Sequence, residues 1–555
     1  MWNHPEVLHQ HLSKIDEPTA ETILSYEARM GKAALMKNSL RKIEGMSEAI
    51  GPRESLTVET ALAEKMYKHK VASWSCFQIN SLPCEVLQEI FRYVVHSVED
   101  THRVVKHRLR ISAVCKYWRK AALDDMSLWN TIYFDDNPSW PLPLMFFERA
   151  GTTKLDIRID EPRLRVERKA PAGQVPASLP PSLTPDQMDA LLDIVLSKYS
   201  QIRLIILVVD RWDTARTVLR RFSAAGESKT LGRFELHRGS SANDVIAWRP
   251  NADEMREVLN PYVLFDSTPN LAWLGLSGIN IDWTKLNSAS LTTLDLRRLS
   301  QALLPDGPTF RKILASSPNL YRLCLAQAGP QLDPSDRDFS PVDLPALREL
   351  VISDGTTIFT THVLGQFTAP NLVCLTLVNQ KCTEHGEIYT FLRGRYPKIE
   401  VLSMYTARID EDPPSIKVAL IRWLDSLPNL TVVKFAQVPA LFIDAFIEDP
   451  RKYDDEPAEP DAEDSPDSHI IAPRLQSIQC THLSKEFILR FIHNRKSIDR
   501  PVKRVYLPVT FAVTGLGRHA LPEIVNAGVE VKILHHYMTT DEERWLSKLG
   551  SRRVD

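Results

Sequence analysis

Sixteen histidines and seven cysteines are the side chains of this 555-residue chain best suited to hold a metal or attack a substrate. Their spacing supports neither chemistry. Cys76, Cys84, Cys115, Cys324, Cys374, Cys382 and Cys480 are scattered, odd in number and without a C-x-x-C pair. A disulfide framework or zinc ribbon needs paired, closely spaced thiols. His9 with His11, and His102 with His107, lack cysteine or carboxylate partners at ligand spacing. Cys115 falls on an apolar helical stripe, which does not generate a thiolate. No Gly-rich phosphate loop, H-E-x-x-H or G-x-S-x-G occurs. The expectation is therefore no catalytic residue, no metal and no cofactor: the chain is not read as an enzyme.

What remains is binding, and composition narrows its kind. Apolar residues make up 43% and charged ones 25%, with a formal net charge of −2. That balance is ordinary for a globular protein and argues against a broad footprint for nucleic acid or an anionic membrane. The most apolar short run, Leu204 to Val209, is six residues long, whereas a spanning helix takes about 20. The N-terminus lacks the basic start and apolar core of a secretory signal. Scattered cysteines suit a reducing compartment, so an intracellular location, cytoplasm and/or nucleus, is expected. At this length either several folded units or one long repeat array must supply the core.

The C-terminal half repeats a pattern of three apolar residues, the second three and the third five positions after the first. It runs Leu271, Leu274, Leu276; Leu291, Leu294, Leu296; Leu320, Leu323, Leu325; Leu347, Leu350, Ile352; Leu372, Leu375, Leu377. Weaker copies are Ile399, Leu402, Met404; Leu430, Val433, Phe435; Leu475, Ile478, Cys480; and Val502, Val505, Leu507. Successive copies start 20, 29, 27, 25, 27, 31, 45 and 27 residues apart. Most of these intervals lie in or near the leucine-rich-repeat range of roughly 20–29. The alternation within each copy predicts a short strand. Between copies, Phe310, Ile313, Leu314 and Ile388, Phe391, Leu392 carry helical spacing. Single strand–helix units cannot bury their apolar faces, but stacked ones can. The ninth position, usually Asn or Cys, holds Ile279, Leu299, Ala328, Gly355 and Gln380, so the regular buried ladder is expected to be missing. Leu155-x-Ile157, Ile202 to Leu207 and Leu231, Phe234, Leu236 read as degenerate earlier copies, starting the array near residue 130. Several copies follow a dipeptide such as Pro269-Asn270 or Pro370-Asn371.

Residues 161–187 are rich in proline and 448–468 hold ten acidic residues against two basic ones. Both are expected to be loops, the second an acidic insertion with Ser465 and Ser468 as candidate phosphosites. Residues 1–76 look helical without a sustained heptad. Residues 79–95, INSLPCEVLQEIFRYVV, put Pro83 at a helix start and present Val86, Leu87, Ile90, Phe91, Val94 and Val95 as one wide apolar face. After a charged stretch read as a long loop, Ile111, Val114, Cys115, Trp118 and Ala122 form the stripe of a second helix. Two short helices this apolar expose more than they can hide from water, which marks an interaction site.

This block resembles an F-box: Leu82-Pro83-Cys84-Glu85-Val86-Leu87, Ile90-Phe91, Val114-Cys115-Lys116-Tyr117-Trp118-Arg119 and Leu128-Trp129 follow its motifs in order. The variant is most similar to fungal, basidiomycete-type F-box proteins with irregular leucine-rich repeats, although Met126 stands where that variant often has Pro. The resemblance implies a Skp-type adaptor and a cullin complex as partners. It also implies an adaptor surface made by Leu82, Pro83, Glu85, Leu87, Ile90, Phe91, Val114, Cys115 and Trp118. The expected architecture is mixed α/β: helices over 1–76, an F-box over 77–134, and an irregular leucine-rich-repeat-like solenoid over 135–555. The expected role is a ubiquitin-ligase substrate receptor whose target protein the sequence does not name; the alternative is a repeat scaffold outside any ligase. For the sheet face the sequence offers two rows, Trp273, Thr293, Arg322, Glu349, Cys374 and Gly275, Asp295, Cys324, Val351, Thr376, neither a charge stripe nor an aromatic ladder.

Overall fold

The computed structural model describes residues 79–96, 101–135, 138–164, 179–239, 260–266, 268–333, 335–336, 339–380, 385–407, 414–453, 470–509, 511 and 515–534. The expected N-terminal helices and both candidate phosphosites lie outside them. The chain divides into two compact units, Met1–Leu128 and Trp129–Asp555.

In the first unit, α1 (Cys84–His96), α2 (Thr101–Ala113) and α3 (Lys116–Asp124) follow one another closely. Pro83 starts α1, its carbonyl accepting from Leu87 N–H, and Glu85 sits in the first turn. The sequence reading of two helices and a long loop is corrected here. The charged stretch is largely α2, which buries Val104, Arg108 and Ile111 at i, i+4, i+7. The single stripe then breaks after Ala113. Cys115 is extended and its Sγ accepts from Trp118 N–H, making it the N-cap of α3. Spacing misled because a stripe with period 3.6 can run across a break between two helices when one residue caps the second.

The second unit is built on one parallel sheet whose strands lie side by side in the order in which the chain makes them. They are β1 (Thr131–Phe134), β2 (Leu155–Asp160), β3 (Ile202–Val209), β4 (Arg233–Arg238), β5 (Trp273–Ser277), β6 (Thr293–Arg297), β7 (Arg322–Ala326), β9 (Glu349–Ser353), β11 (Cys374–Val378), β12 (Val401–Tyr405), β13 (Val432–Ala436), β14 (Ser477–Thr481), β15 (Arg504–Pro508) and β16 (Glu530–Leu534). A two-stranded pair, β8 (Val342–Asp343) with β10 (Phe367–Thr368), stands apart. Most crossovers carry a helix: α4 (Pro141–Arg149), α5 (Pro185–Leu196), α6 (Trp212–Ala224), α7 (Gly307–Ala315), α8 (Thr357–Gly365), α9 (His385–Leu392), α10 (Pro414–Asp425), α11 (Leu441–Ala445), α12 (Lys485–Ser497) and α13 (Gly515–Asn526). This is the mixed α/β repeat array expected. Each of the nine repeat copies supplies a strand, and their second apolar residues stack in one register: Leu274, Leu294, Leu323, Leu350, Leu375, Leu402, Val433, Ile478, Val505. That row is buried against the helix side. The earlier segments join it through Phe234, which pairs with Leu274, and the sheet opens at Thr131. Strand β16 has no counterpart in the sequence reading. Val531 pairs with Val505, which puts Gly528 where the repeat should begin with an apolar residue, so the pattern search passes over it.

Two ladders replace the missing one. Immediately after eight successive strands the chain turns through the left-handed region, at Gly278, Arg298, Gln327, Asp354, Asn379, Thr406, Gln437 and His482. From Gly278 to Thr406 each of these residues donates its N–H to the last carbonyl of the next strand, extending the sheet one residue into the turn. On the other side, the residue before four of the repeats reaches back: Asn270, Asn371 and Asn429 donate to the carbonyls of Lys229, Pro345 and Pro397, and Ser290 to that of Pro269. Lys398 and Arg474 then donate to Asn371 and Asn429. At Pro269-Asn270, Pro370-Asn371 and Pro428-Asn429 the Pro-Asn dipeptide is thus a structural rung. At the ninth position Ile279, Leu299 and Ala328 are buried apolar fillers, while Gln380 alone in this set donates to the carbonyls of Ile352 and Val378. Thr406 is the β-branched member of the left-handed row, a conformation that costs such residues most. Thr406→Gly is expected to raise stability by about 0.5–1 kcal/mol in equilibrium denaturation; an unchanged or lower midpoint would show that the turn stores no strain there.

The two expected loops are only partly loops. Pro185 is the first residue of α5, not linker, and Thr184 with Gln187 closes a capping box before it. A proline-rich composition marks a loop, but proline equally suits the first position of a helix. Residues 165–178 and 454–469 lie outside the described set. The base of the acidic insertion is clamped by Arg495 on α12, which is fully buried. It donates to the carbonyls of Phe446 on one side of the insertion and Ile471 and Ala472 on the other, and to Arg500.

Candidate protein-interaction site

The three helices of the first unit are held by polar bonds directed inward. Gln88 donates to Ala121 O, and Arg92 on α1 donates to Asp125 and Ser127 after α3. The turn before α1, Ile79–Ser81, is fixed to α3: Trp118 Nε1 donates to Asn80 Oδ1 at 2.7 Å and Tyr117 Oη to Leu82 O at 2.9 Å. These bonds bring the two motif blocks, 82–91 and 114–119, onto one small body.

The nine predicted contact residues divide. Pro83, Glu85 and Val114 are exposed, Val114 by 59%. Leu82, Ile90, Cys115 and Trp118 are half-buried. Leu87 and Phe91 are core residues, at most 1% exposed, with Phe91 packed on Trp118 at 4.9 Å between ring centroids. Apolar spacing alone could not separate the inner from the outer part of so wide a face. The surface also contains residues that the motif did not single out. Tyr93, Leu109, Tyr117, Leu123 and Met126 are exposed and, with Val114, form half of the twelve exposed large hydrophobics among the described residues. All six lie between residues 93 and 126. Tyr117 was legible as the variable position inside Val-Cys-Lys-x-Trp-Arg. Burial, then the carboxylates of Glu85 and Asp124, pushes the Cys84 thiol up; burial pushes that of Cys324 up to about 12. Neither is a poised nucleophile.

The open face of the sheet is less bland than its two sequence rows. Those rows start at β5 and do not include β4 or the third row, where Arg233, Glu235, His237 and Arg297 lie. In the structure Arg233 and His237 bracket Glu235, Arg297 grips Asp295, and Arg322 pairs with Glu349. Farther along, Val401, Val432, Ser477 and Tyr506 point to this face yet are buried. Among the described residues no cluster of three His, Cys, Asp or Glu side chains could hold a metal, and no helix is long and apolar enough to cross a membrane.

Comparison with known proteins places the helical block first. Residues 79–135 match the F-box-like family model. No curated protein matches the chain. Among solved structures it is similar to the leucine-rich repeat-containing protein LegL7 from Legionella pneumophila, with 11% identity, 57% of this chain and 87% of that chain covered, and a TM-score of 0.29.

Proposed function

We propose that this chain is a substrate-receptor subunit of a Skp–cullin–F-box ubiquitin ligase, of the fungal type that its motifs resemble. It is a non-enzymatic member: the F-box-like unit holds the adaptor, the repeat unit holds a target protein, and other subunits transfer ubiquitin. Its contribution to rate is proximity. The observation that carries this reading is the F-box-like match over 79–135, joined by six exposed apolar side chains within the same block. F-box domains generally bind Skp-type adaptors, and an exposed aliphatic and aromatic cluster is what a helix-in-groove contact uses. Leu82, Pro83, Glu85, Ile90, Val114, Cys115 and Trp118 are the proposed contacts, with Leu87 and Phe91 supporting them from beneath.

The test is co-purification with a Skp-type adaptor. Leu82→Ala with Pro83→Ala is expected to weaken capture by at least about tenfold, as for loss of interface anchors, while the circular dichroism spectrum stays unchanged. Undiminished capture would overturn the docking surface. Burial of Phe91 within the helical unit favours a second reading, a repeat scaffold outside any ligase. In that case the unaltered chain captures no adaptor at all.

A further inference from the structure

On the open face two guanidinium groups stand over buried carboxylates, Arg233 over Glu235 on β4 and Arg297 over Asp295 on β6, while Arg322 on β7 lies beside the similarly exposed Glu349 on β9. Glu235 lies flat across β5, where Gly275 leaves it room: a Cβ there would come within 2.8 Å of Glu235 Cγ. Over Glu235, Arg233 binds the carboxylate through Nε at 2.6 Å and rests 3.8 Å above the Trp273 ring. Two strands on, Asp295 holds Arg297 through Nε and Nη2 at 2.6 and 2.7 Å. The side chain of Arg297 is 44% exposed and that of Asp295 only 10%; Arg233 and Glu235 differ in the same sense. Arg322 on β7 engages Glu349 through Nη1. The acids therefore fix the arginine forks and leave their outer edges to the surroundings. Trp273 Nε1 and Arg322 Nε, both in this patch, are donors without an acceptor.

We propose that this patch binds an acidic, extended segment of a partner protein. The proposal rests on the reading that the repeat unit selects the target, and it adds the chemistry of what is selected. Strands stand about 4.8 Å apart, so Arg233 to Arg322 spans roughly 14 Å, the length of four to five extended residues crossing the strands. Beyond β7 the face carries Glu349 and is then neutral at Val351, Thr376 and Val378, so the acidic part of the ligand sits over β4 to β7. A nucleic acid carries the same sign of charge, and single-stranded DNA therefore serves as the competing polyanion in the experiment.

The experiment uses the full chain and a fluorescein-labelled peptide of ten glutamates, read by fluorescence anisotropy. Saturable binding is expected. Arg297→Glu with Arg322→Glu is expected to weaken it at least tenfold, whereas Lys312→Glu with Arg393→Glu, an equal charge change at exposed positions off the sheet, leaves it within twofold. Arg297→Lys with Arg322→Lys keeps the charge and the neighbouring carboxylates, and should bind with intermediate strength because the fork is lost. Leu82→Ala with Pro83→Ala should bind the peptide normally, which separates this proposal from the adaptor reading. Absence of saturable binding, equal loss in the control pair, or tighter binding of a single-stranded DNA of matched charge would each overturn it.

Discussion

Replacing Arg495 by methionine is expected to cost about 3–5 kcal/mol, among the largest single-residue losses in the repeat unit. The side chain is fully buried and serves three carbonyls of other segments, those of Phe446, Ile471 and Ala472, besides Arg500 O. Burial, then the neighbouring Arg500 charge, lowers its pKa to about 10. The guanidinium is therefore uncomfortable where it sits, and methionine relieves that discomfort. It also strips buried carbonyls of their donor, at about 1–3 kcal/mol each, and this larger effect decides the sign. Lysine does not rescue the loss, since one ammonium cannot reproduce a planar fork aimed at several carbonyls. The damage should be local, because stacked repeats depend on their neighbours. Limited proteolysis with mass spectrometry should find new cuts between residues 446 and 472 before any elsewhere. An unaltered denaturation midpoint for Arg495→Met would refute the clamp.

The second large effect depends on pH. Glu161, just past β2, is fully buried. It accepts from Leu183 N–H at 2.6 Å and from Asp210 N–H at 3.4 Å, closing the proline-rich loop onto the end of β3. Burial raises its pKa from 4.5 to about 7; the two backbone bonds and Arg163 pull it down, and the Asp210 carboxylate pushes it up. A carboxyl with a raised folded pKa takes up protons on folding. Its contribution to stability is thus fully present below about pH 4.5 and is lost as pH rises through 7. Relative to Glu161→Gln, the native chain should lose up to about 3 kcal/mol between pH 4.5 and pH 8. Thermal melts of both proteins across that window should diverge in favour of glutamine on the alkaline side. Parallel profiles would mean that Glu161 does not titrate there.

The sheet was almost entirely legible, and the helical block only in part. Leu274 through Val505 could be placed in register from sequence because a repeated spacing carries its own check: each copy supports the next. Nothing comparable guards a lone helix pair. The break at Val114 and Cys115 was hidden by a stripe that continued through it, and Leu87 could not be told from Ile90 by spacing when one is core and the other half-exposed. The Pro-Asn rungs were visible as a pattern but not as a cause, since their acceptors are carbonyls some 26–41 residues away. The arginine–carboxylate layer was missed for a similar reason. Its members come from different strands and rows, and only lateral register makes Glu235 the neighbour of Gly275.

The order of the strands also bears on how such a chain can change over generations. Within the large sheet each strand pairs only with that sheet's preceding and following strands, while the spacing between copies runs from 20 to 45 residues without disturbing the row from Leu274 to Val505. Loop length and copy number are therefore nearly free parameters, whereas register is not. A duplication or deletion of one whole unit would leave a continuous sheet, and one that ended mid-unit would not. The open face could drift by recombination of intact units while the F-box-like block upstream stayed unchanged.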